Sequence, residues 1–288
     1  MIKTAVITTG GLGSRLLTYT KSNPKSMLPL FEKSSYKSYD PLLRPLIELI
    51  FERLFDQGFR RFCFIVGEKT KKSIFSQLLP NESYVKLLKK RNVSEDKQFI
   101  HVLSRLSKKI KMCELEWISQ STPMGFGHAL YSAKKFVGTD TFLLHAGDAY
   151  FSNYQFLDNF RKVHYSNTNT TATLLIQRKK NLKGYGIAQI KRKNKINQVT
   201  DVEEKPKNPK SNFVLLPLYI FTPTIFEALK KTPNGYKGEL QVTDAIKTLM
   251  NWEKLVVAEN YGKKPWFDIG TPQNYFRALA WSYKQSLY

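Results

Sequence analysis

Cysteine is scarce in this 288-residue sequence: only Cys63 and Cys113 occur, far apart and each in an apolar, strand-like stretch. That excludes a disulfide-built scaffold and a cysteine-ligated metal centre, and it fits buried thiols in a reducing cytoplasm. Acids are also scarce, with 23 Asp and Glu against 46 Lys and Arg, a net charge of +23. No apolar run approaches the roughly 18 residues that cross a bilayer. Met1 is followed by Ile-Lys-Thr and a strand-like run, without the apolar stretch and small-residue cleavage site of a signal peptide. A soluble, cytoplasmic protein with no membrane partner is therefore expected. Neither G-x-x-x-x-G-K-[ST] nor G-x-G-x-x-G occurs, and there is no helix-turn-helix, RNP-type or zinc-finger pattern.

Hydrophobic residues at 42% and aromatics at 13% place the chain among globular proteins with a sizeable core. Much of the positive charge is local, in "VKLLKKRNV" (85–93), "SRLSKKIKM" (104–112), "QRKKNLK" (177–183) and "KRKNK" (191–195). These runs lack the glycine and aromatic interleaving of single-strand readers. They read as solvated faces and hairpin tips, with no specific nucleic-acid partner expected.

Along the chain, strand-like and helical spacings alternate. "KTAVITT" (3–9), "RFCFIVGE" (61–68), "CELEWIS" (113–119) and "TFLLHAGD" (141–148) read as strands, and 44–59, the segment from Lys71 and 127–137 as helices. Residues 81–112 form a basic helical insertion. After residue 165 come strands and hairpins at 171–179, 185–206 and 213–221, then two helices. Strands separated by helices imply parallel pairing, with ligands at the carboxyl ends of the strands. The expected fold is α/β, a Rossmann-like mixed sheet flanked by helices with a smaller β-rich part covering the substrate. No linker or repeat divides it, so 1–288 is read as one domain with two halves, 1–165 and 166–288.

Behind the first strand, "GGLGSRLLTYTKSNPKSMLPL" (10–30) combines close glycines with Arg15, Lys21 and Lys25. Glycine backbone N–H groups approach a phosphate or a base without side-chain obstruction. Pro24 and "MLPL" set Lys25 on rigid backbone. Asp148 ends an apolar strand, where a carboxylate either caps the next helix or faces a ligand.

The run Gly11-Leu12-Gly13-Ser14-Arg15, then Thr20-Lys21, then Pro24-Lys25-Ser26-Met27-Leu28-Pro29 resembles the signature of the sugar-1-phosphate nucleotidyltransferases. Within them it is most similar to the UTP–glucose-1-phosphate uridylyltransferases. The resemblance continues in order through "QSTPMGFGHA" (120–129), "GDAYF" (147–151), "GYG" (184–186), "EEKP" (203–206), "GELQVTDAI" (238–246) and "FDIGTPQNY" (267–275). It leaves 81–112 as the main uncovered region.

The resemblance implies attack by a sugar-1-phosphate oxygen on the α-phosphorus of UTP, with pyrophosphate leaving. Arg15, Lys25, Asp148 and Lys205 would be the catalytic set, Arg15 and Lys25 acting as triphosphate cations. Asp148 and Asp268 would share one Mg²⁺, which commonly takes one or two carboxylates plus phosphate oxygens. The resemblance makes 1–165 the nucleotide-binding half and 166–288 the sugar-phosphate-binding half, and Gly10, Gly11, Leu12, Gly13, Gln120 and Gly125 would face the nucleotide. Gly186, Glu204 and Lys205 would hold the sugar phosphate, with Glu204 and Lys205 at a strand end where successive side chains point opposite ways. His128 is read as a structural residue at a helix start. Two departures are visible: Ser121 where the family usually has Gly, and Pro217 where many relatives have Gly before the Tyr. UTP and a hexose 1-phosphate are the expected partners, and a homo-oligomer is compatible with the reading. A thymidylyl- or guanylyltransferase and a catalytically silent nucleotide-sugar sensor remain as alternatives. No hexapeptide-repeat tail is present, so no second acyltransferase activity is expected.

Overall fold

Strand β1 (Thr4–Thr8) is central because its residues are apolar on both faces, which suits a parallel strand covered by helices on each side. The computed structural model describes residues 2–11, 13–34, 41–79, 82–93, 96–122, 124–193 and 196–287. After β1 come a short helix α1 (Leu17–Thr20), a hairpin of β2 (Pro29–Glu32) and β3 (Leu42–Pro45), α2 (Leu46–Asp56), β4 (Arg61–Gly67) and α3 (Lys71–Leu78). Next are α4 (Glu82–Arg91), α5 (Asp96–Lys111), β5 (Glu114–Gln120), α6 (Phe126–Ser132), α7 (Lys134–Val137), β6 (Phe142–Ala146), β7 (Ala149–Phe151) and α8 (Phe156–Tyr165). The rest comprises β8 (Thr170–Arg178), β9 (Ile187–Lys193), β10 (Ile196–Glu203), β11 (Phe213–Phe221), α9 (Thr224–Lys231), α10 (Val242–Asn251), β12 (Leu255–Asn260), β13 (Trp266–Asp268) and α11 (Pro272–Ser286).

One nine-stranded sheet runs in the order β5-β4-β1-β6-β11-β8-β12-β10-β9. The first four of these strands are mutually parallel, and β11 then pairs antiparallel to both β6 and β8. The mixed, helix-flanked sheet is as expected from the alternation of elements. Two apolar clusters cover its faces. One gathers α2, α8 and the aromatic Phe151, Phe156 and Phe160, and the other gathers α6, α9 and α10 around Phe142, Phe221 and Phe226. No helix among the described residues is long and apolar enough to cross a membrane.

Several local expectations are corrected. The helix read over 44–59 starts at Leu46, because Leu42–Pro45 pairs with Pro29–Glu32 as a hairpin. The strand read over 141–148 ends at Ala146, which leaves Asp148 in the turn beyond it. β12 and β13 were not anticipated; both are short and take their partners from distant chain, β8 and β7. The insertion is a pair of helices, and its charges are not all solvated. Lys109 on α5 is buried and reaches Glu52 at 3.1 Å and Asp56 at 2.8 Å on α2. Beside it, buried Arg44 bridges Glu48, Glu52 and Glu32, so α5 is clamped to α2 and the hairpin by a shared ionic cluster. Buried ions persist only with such partners. Cys63 is buried and Cys113 half-buried, both free, and burial pushes their thiols up to about 12 and about 11.

Candidate active site

The carboxyl ends of β1, β5 and β6 open onto a cleft of about 530 Å³. Of the thirteen residues singled out from the sequence, twelve line it: Gly10, Gly11, Gly13, Arg15, Lys25, Gln120, Gly125, Asp148, Gly186, Glu204, Lys205 and Asp268. Leu12 lies outside the described residues.

At one end the glycine loop leaves β1. Gly13 has φ +63° and leaves space that the Thr20 side chain fills, while a Cβ on Gly11 would meet nothing within 4 Å. The Gly11 backbone therefore faces open space. Gln120, at the end of β5, pairs through Nε2 with His128 Nδ1 at 2.9 Å. Its carbonyl end turns to the loop, since a Cβ on Gly10 would lie 2.8 Å from Oε1. His128 thus fixes the Gln120 amide, a more specific task than starting a helix. Gly125 has φ +102°, and a Cβ there would lie 2.5 Å from Leu240 O. Leu240 in turn donates to Met124 O at 3.1 Å and accepts from Gly127 N at 2.8 Å. The fragments around 120–129 and 238–246 are therefore laced together by backbone.

The acids meet through the small β7–β13 ladder. Its register sets Asp268 opposite Ala149, and Ile269 N donates to Asp148 O at 2.9 Å. Lys25 forms a salt bridge with Asp148. Burial opposes charge on both partners, but their attraction outweighs it, holding the Lys25 ammonium above and the Asp148 carboxyl below its ordinary value. Asp268 is pushed up, by burial first and then by the Asp148 charge. Arg15 reaches the same corner: a Cβ on Gly270 would meet both Arg15 Nη2 and Asp268 Oδ1 at 2.8 Å. Two crowded carboxylates with no third His, Cys, Asp or Glu gathered to them among the described residues suit Mg²⁺, which completes its shell with phosphate oxygens and water.

At the other end β10 stops at Glu203, and Lys205 takes a left-handed backbone with φ +46°. That turn corrects the expectation of opposed side chains. Glu204 and Lys205 both face the cleft, 2.6 Å apart, because the alternation of a strand no longer applies. Glu204 also accepts from Thr243 Oγ1 at 2.6 Å, and the Lys205 ammonium lies 4.7 Å from the Tyr236 ring centroid. Gly186 packs against this pair, a Cβ there lying 3.1 Å from Glu204 Oε2. Pro217 lines the cleft at a bulge in β11, where pairing with β8 is interrupted between Leu215 and Tyr219 and its missing N–H is not needed.

Sequence reasoning missed several lining residues. Tyr185, Trp266, Tyr219, Gln241 and Thr243 all face the cleft. Thr243 and Gln241 stood inside "GELQVTDAI", quoted for resemblance but given no role. Ser26, between Lys25 and Met27, has a buried hydroxyl with no hydrogen-bond partner among the described residues.

The family model described as nucleotidyl transferase matches residues 4–284 of this chain. The chain belongs to the nucleotidyl transferase family. Among its relatives, this nucleotidyl transferase is 29% identical to the UTP–glucose-1-phosphate uridylyltransferase of Mycoplasma genitalium, over 96% of this chain and 90% of that protein. It is likewise 29% identical to the enzyme of that name from Bacillus subtilis, over 93% and 87%. A crystal structure of a UDP-glucose pyrophosphorylase complexed with UDP-glucose superposes with a TM-score of 0.80 at 23% identity, covering 99% of this chain and 100% of that one.

Proposed function

We propose that this nucleotidyl transferase joins UTP and glucose 1-phosphate to give UDP-glucose and pyrophosphate. The observation that carries the reading is the grouping of charges in one cleft: Arg15 and Lys25 stand with the two acids Asp148 and Asp268, and Lys205 is paired apart from them with Glu204. Two polyanions must approach each other, so positioning and charge neutralisation dominate the chemistry. In this reading Gly10, Gly11, Leu12, Gly13 and Gly125 offer backbone to the nucleotide, and Gln120 reads the uracil edge with both donor and acceptor. Lys25 and Arg15 take up charge as pyrophosphate departs. Glu204 accepts from sugar hydroxyls, Lys205 holds the sugar phosphate, and Gly186 leaves room for the hexose. Asp148 and Asp268 would hold Mg²⁺, which supplies charge neutralisation between the reacting phosphates. The attacking phosphate oxygen is already ionised, so no side chain has to remove a proton from it.

The reading assigns the nucleotide to residues 1–165 and the sugar phosphate to 166–288 within one domain, in a cytoplasmic enzyme. The similarity of relatives named for this reaction supports it. Pyrophosphate release over a matrix of nucleoside triphosphates and hexose 1-phosphates tests it. UTP with glucose 1-phosphate should lead, with dTTP the nearest competitor because its methyl leaves the pairing edge unchanged. A preference for GTP would reject the uridylyl assignment.

A further inference from the structure

Lys179 follows β8 inside the run "QRKKNLK". Its backbone N–H donates to Asn212 O at 2.9 Å, which pins the strand end. The side chain folds over two rings, with Nζ 4.5 Å from the Trp266 centroid and 4.7 Å from that of Tyr185, and 3.4 Å from the Tyr185 hydroxyl. The rings meet as a corner, 6.0 Å apart and inclined at 66°. Trp266 is locked in place by its indole N–H, which donates to Gln177 Oε1 at 2.8 Å. Both rings line the cleft, and Trp266 stands two residues before Asp268.

The charge on Lys179 is poorly compensated. Lys25 pairs with Asp148 and Lys205 with Glu204, whereas no carboxylate of the described residues lies within ion-pair distance of Lys179. Asp268 acts on it only through space, and burial holds the ammonium below its ordinary value. An aromatic face attracts a cation more weakly than water or a carboxylate does, so a half-buried ammonium there gains when an anion arrives. The nearest anions this cleft would receive are phosphates.

We propose that Lys179, which meets the cleft through the lining Tyr185 and Trp266 rings, is a fourth phosphate-binding cation that leaves those rings for the oxygens of a phosphate held beside Asp268. The proposal rests on the reading of the cleft as a nucleotidyl transfer site, and it names a residue outside the motifs that carry the family resemblance. The shared chemistry is a phosphate oxygen, supplied either by the pyrophosphate end of the nucleotide or by the sugar phosphate.

Calorimetric titration of wild type, Lys179→Met and Lys179→Arg with inorganic pyrophosphate and, separately, with glucose 1-phosphate tests it. The methionine variant should bind one probe about tenfold or more weakly, the size of a lost charge-assisted hydrogen bond, and the other within about twofold. Arginine should restore most of the loss, and the weakened probe identifies the source. Steady-state KM values for UTP and glucose 1-phosphate should divide the same way. Tryptophan emission should change on binding in wild type and much less in Lys179→Met, because the ammonium no longer leaves the Trp266 face. Unchanged binding of both probes in Lys179→Met overturns the proposal. So does equal weakening of both probes with no rescue by arginine, the mark of packing alone, and so does a wild type that binds neither probe. Failure of the functional reading is a separate result: wild type would release no pyrophosphate from UTP and glucose 1-phosphate while the binding comparison still reads out.

Discussion

Around the glycine loop the surface of the cleft is mostly backbone, Gly10, Gly11 and Gly13 following the central parallel strand, with Lys25 fixed by Asp148. Around Glu204 it is mostly side chain: Glu204, Lys205 and Thr243 joined by contacts of 2.6 Å and steadied by the Tyr236 ring. A phosphate presents much the same oxygens wherever it binds, and backbone N–H groups meet them. A hexose is told from its epimers by single hydroxyls, which need side-chain donors and acceptors at defined points. One end therefore suits phosphate, with Gln120 as its proposed base-facing side chain, and the other carries the side chains that suit a hexose.

The strongest test of this division lies at the junction. Asp148→Asn and Asp268→Asn should each lower turnover by about a hundredfold or more, the scale of losing a preorganised electrostatic group, while circular dichroism stays native. Near-normal turnover in both would dissolve the shared site between the two ends.

The lysines separate the ends directly. Lys25→Ala should lower kcat and kcat/KM together by about a hundredfold, as expected for an interaction that strengthens in the transition state. Lys205→Met should raise the KM for glucose 1-phosphate by about ten- to a hundredfold with little change for UTP, as expected for one charge-assisted contact to the sugar phosphate. Equal effects of Lys205→Met on both KM values would show that Glu204 and Lys205 are only an ion pair in the wall.

Two glycines sharpen the picture around the glycine loop and Gln120. Gly125→Ala forces a Cβ to 2.5 Å from Leu240 O at φ +102°, so it should destabilise the fold by about 1–3 kcal/mol. Gly11→Ala meets nothing; its stability should stay near wild type while the KM for UTP rises several-fold. Melting temperature and KM measured on the same preparations decide this. A rise in neither would mean that the Gly11 backbone faces no ligand.

A last test, by pH and not by ligand, compares the elements packed beneath the cleft. His145 on β6 is fully buried between Ala146 O and the Tyr154 hydroxyl, and His164 on α8 pairs with Thr173 of β8 at 2.8 Å. Burial lowers both imidazoles from 6.5 to about 4. Between those values the unfolded chain binds protons that the folded chain refuses, so stability should fall as pH drops from 6.5 towards 4, by about 1.4 kcal/mol per pH unit for each histidine. Urea unfolding at pH 7 and pH 5 measures the slope, and His164→Gln should roughly halve it. An unchanged slope would remove His164 from the account.

The glycine loop, Lys25 and Asp148 could be picked out before any coordinates because each sits in a local run with a chemical reason for its residue types, and Glu204 and Asp268 because their runs resemble motifs of the family. Tyr185, Trp266 and Tyr236 could not, since an aromatic residue in a strand or turn reads as packing until its neighbours are known. Lys109 and Lys179 were hidden for a different reason. Each stands in a run of lysines that looks uniformly solvated, yet each meets its partners, Glu52 and Asp56 for one and two rings for the other, through folding alone.

What the sequence by itself determined is local: apolar strands that must be covered on both faces, a glycine loop behind the first of them, and an α/β alternation that puts ligands at strand ends. The tertiary structure alone decided which distant residues share an atom's neighbourhood. Asp148 and Asp268 adjoin because the β7–β13 register sets residue 268 against residue 149. Glu204 and Lys205 face the same way because the chain turns left-handed at Lys205. Strand alternation and motif spacing constrain a few residues at a time, whereas register between short strands far apart in the chain is chosen by the packing of the whole sheet.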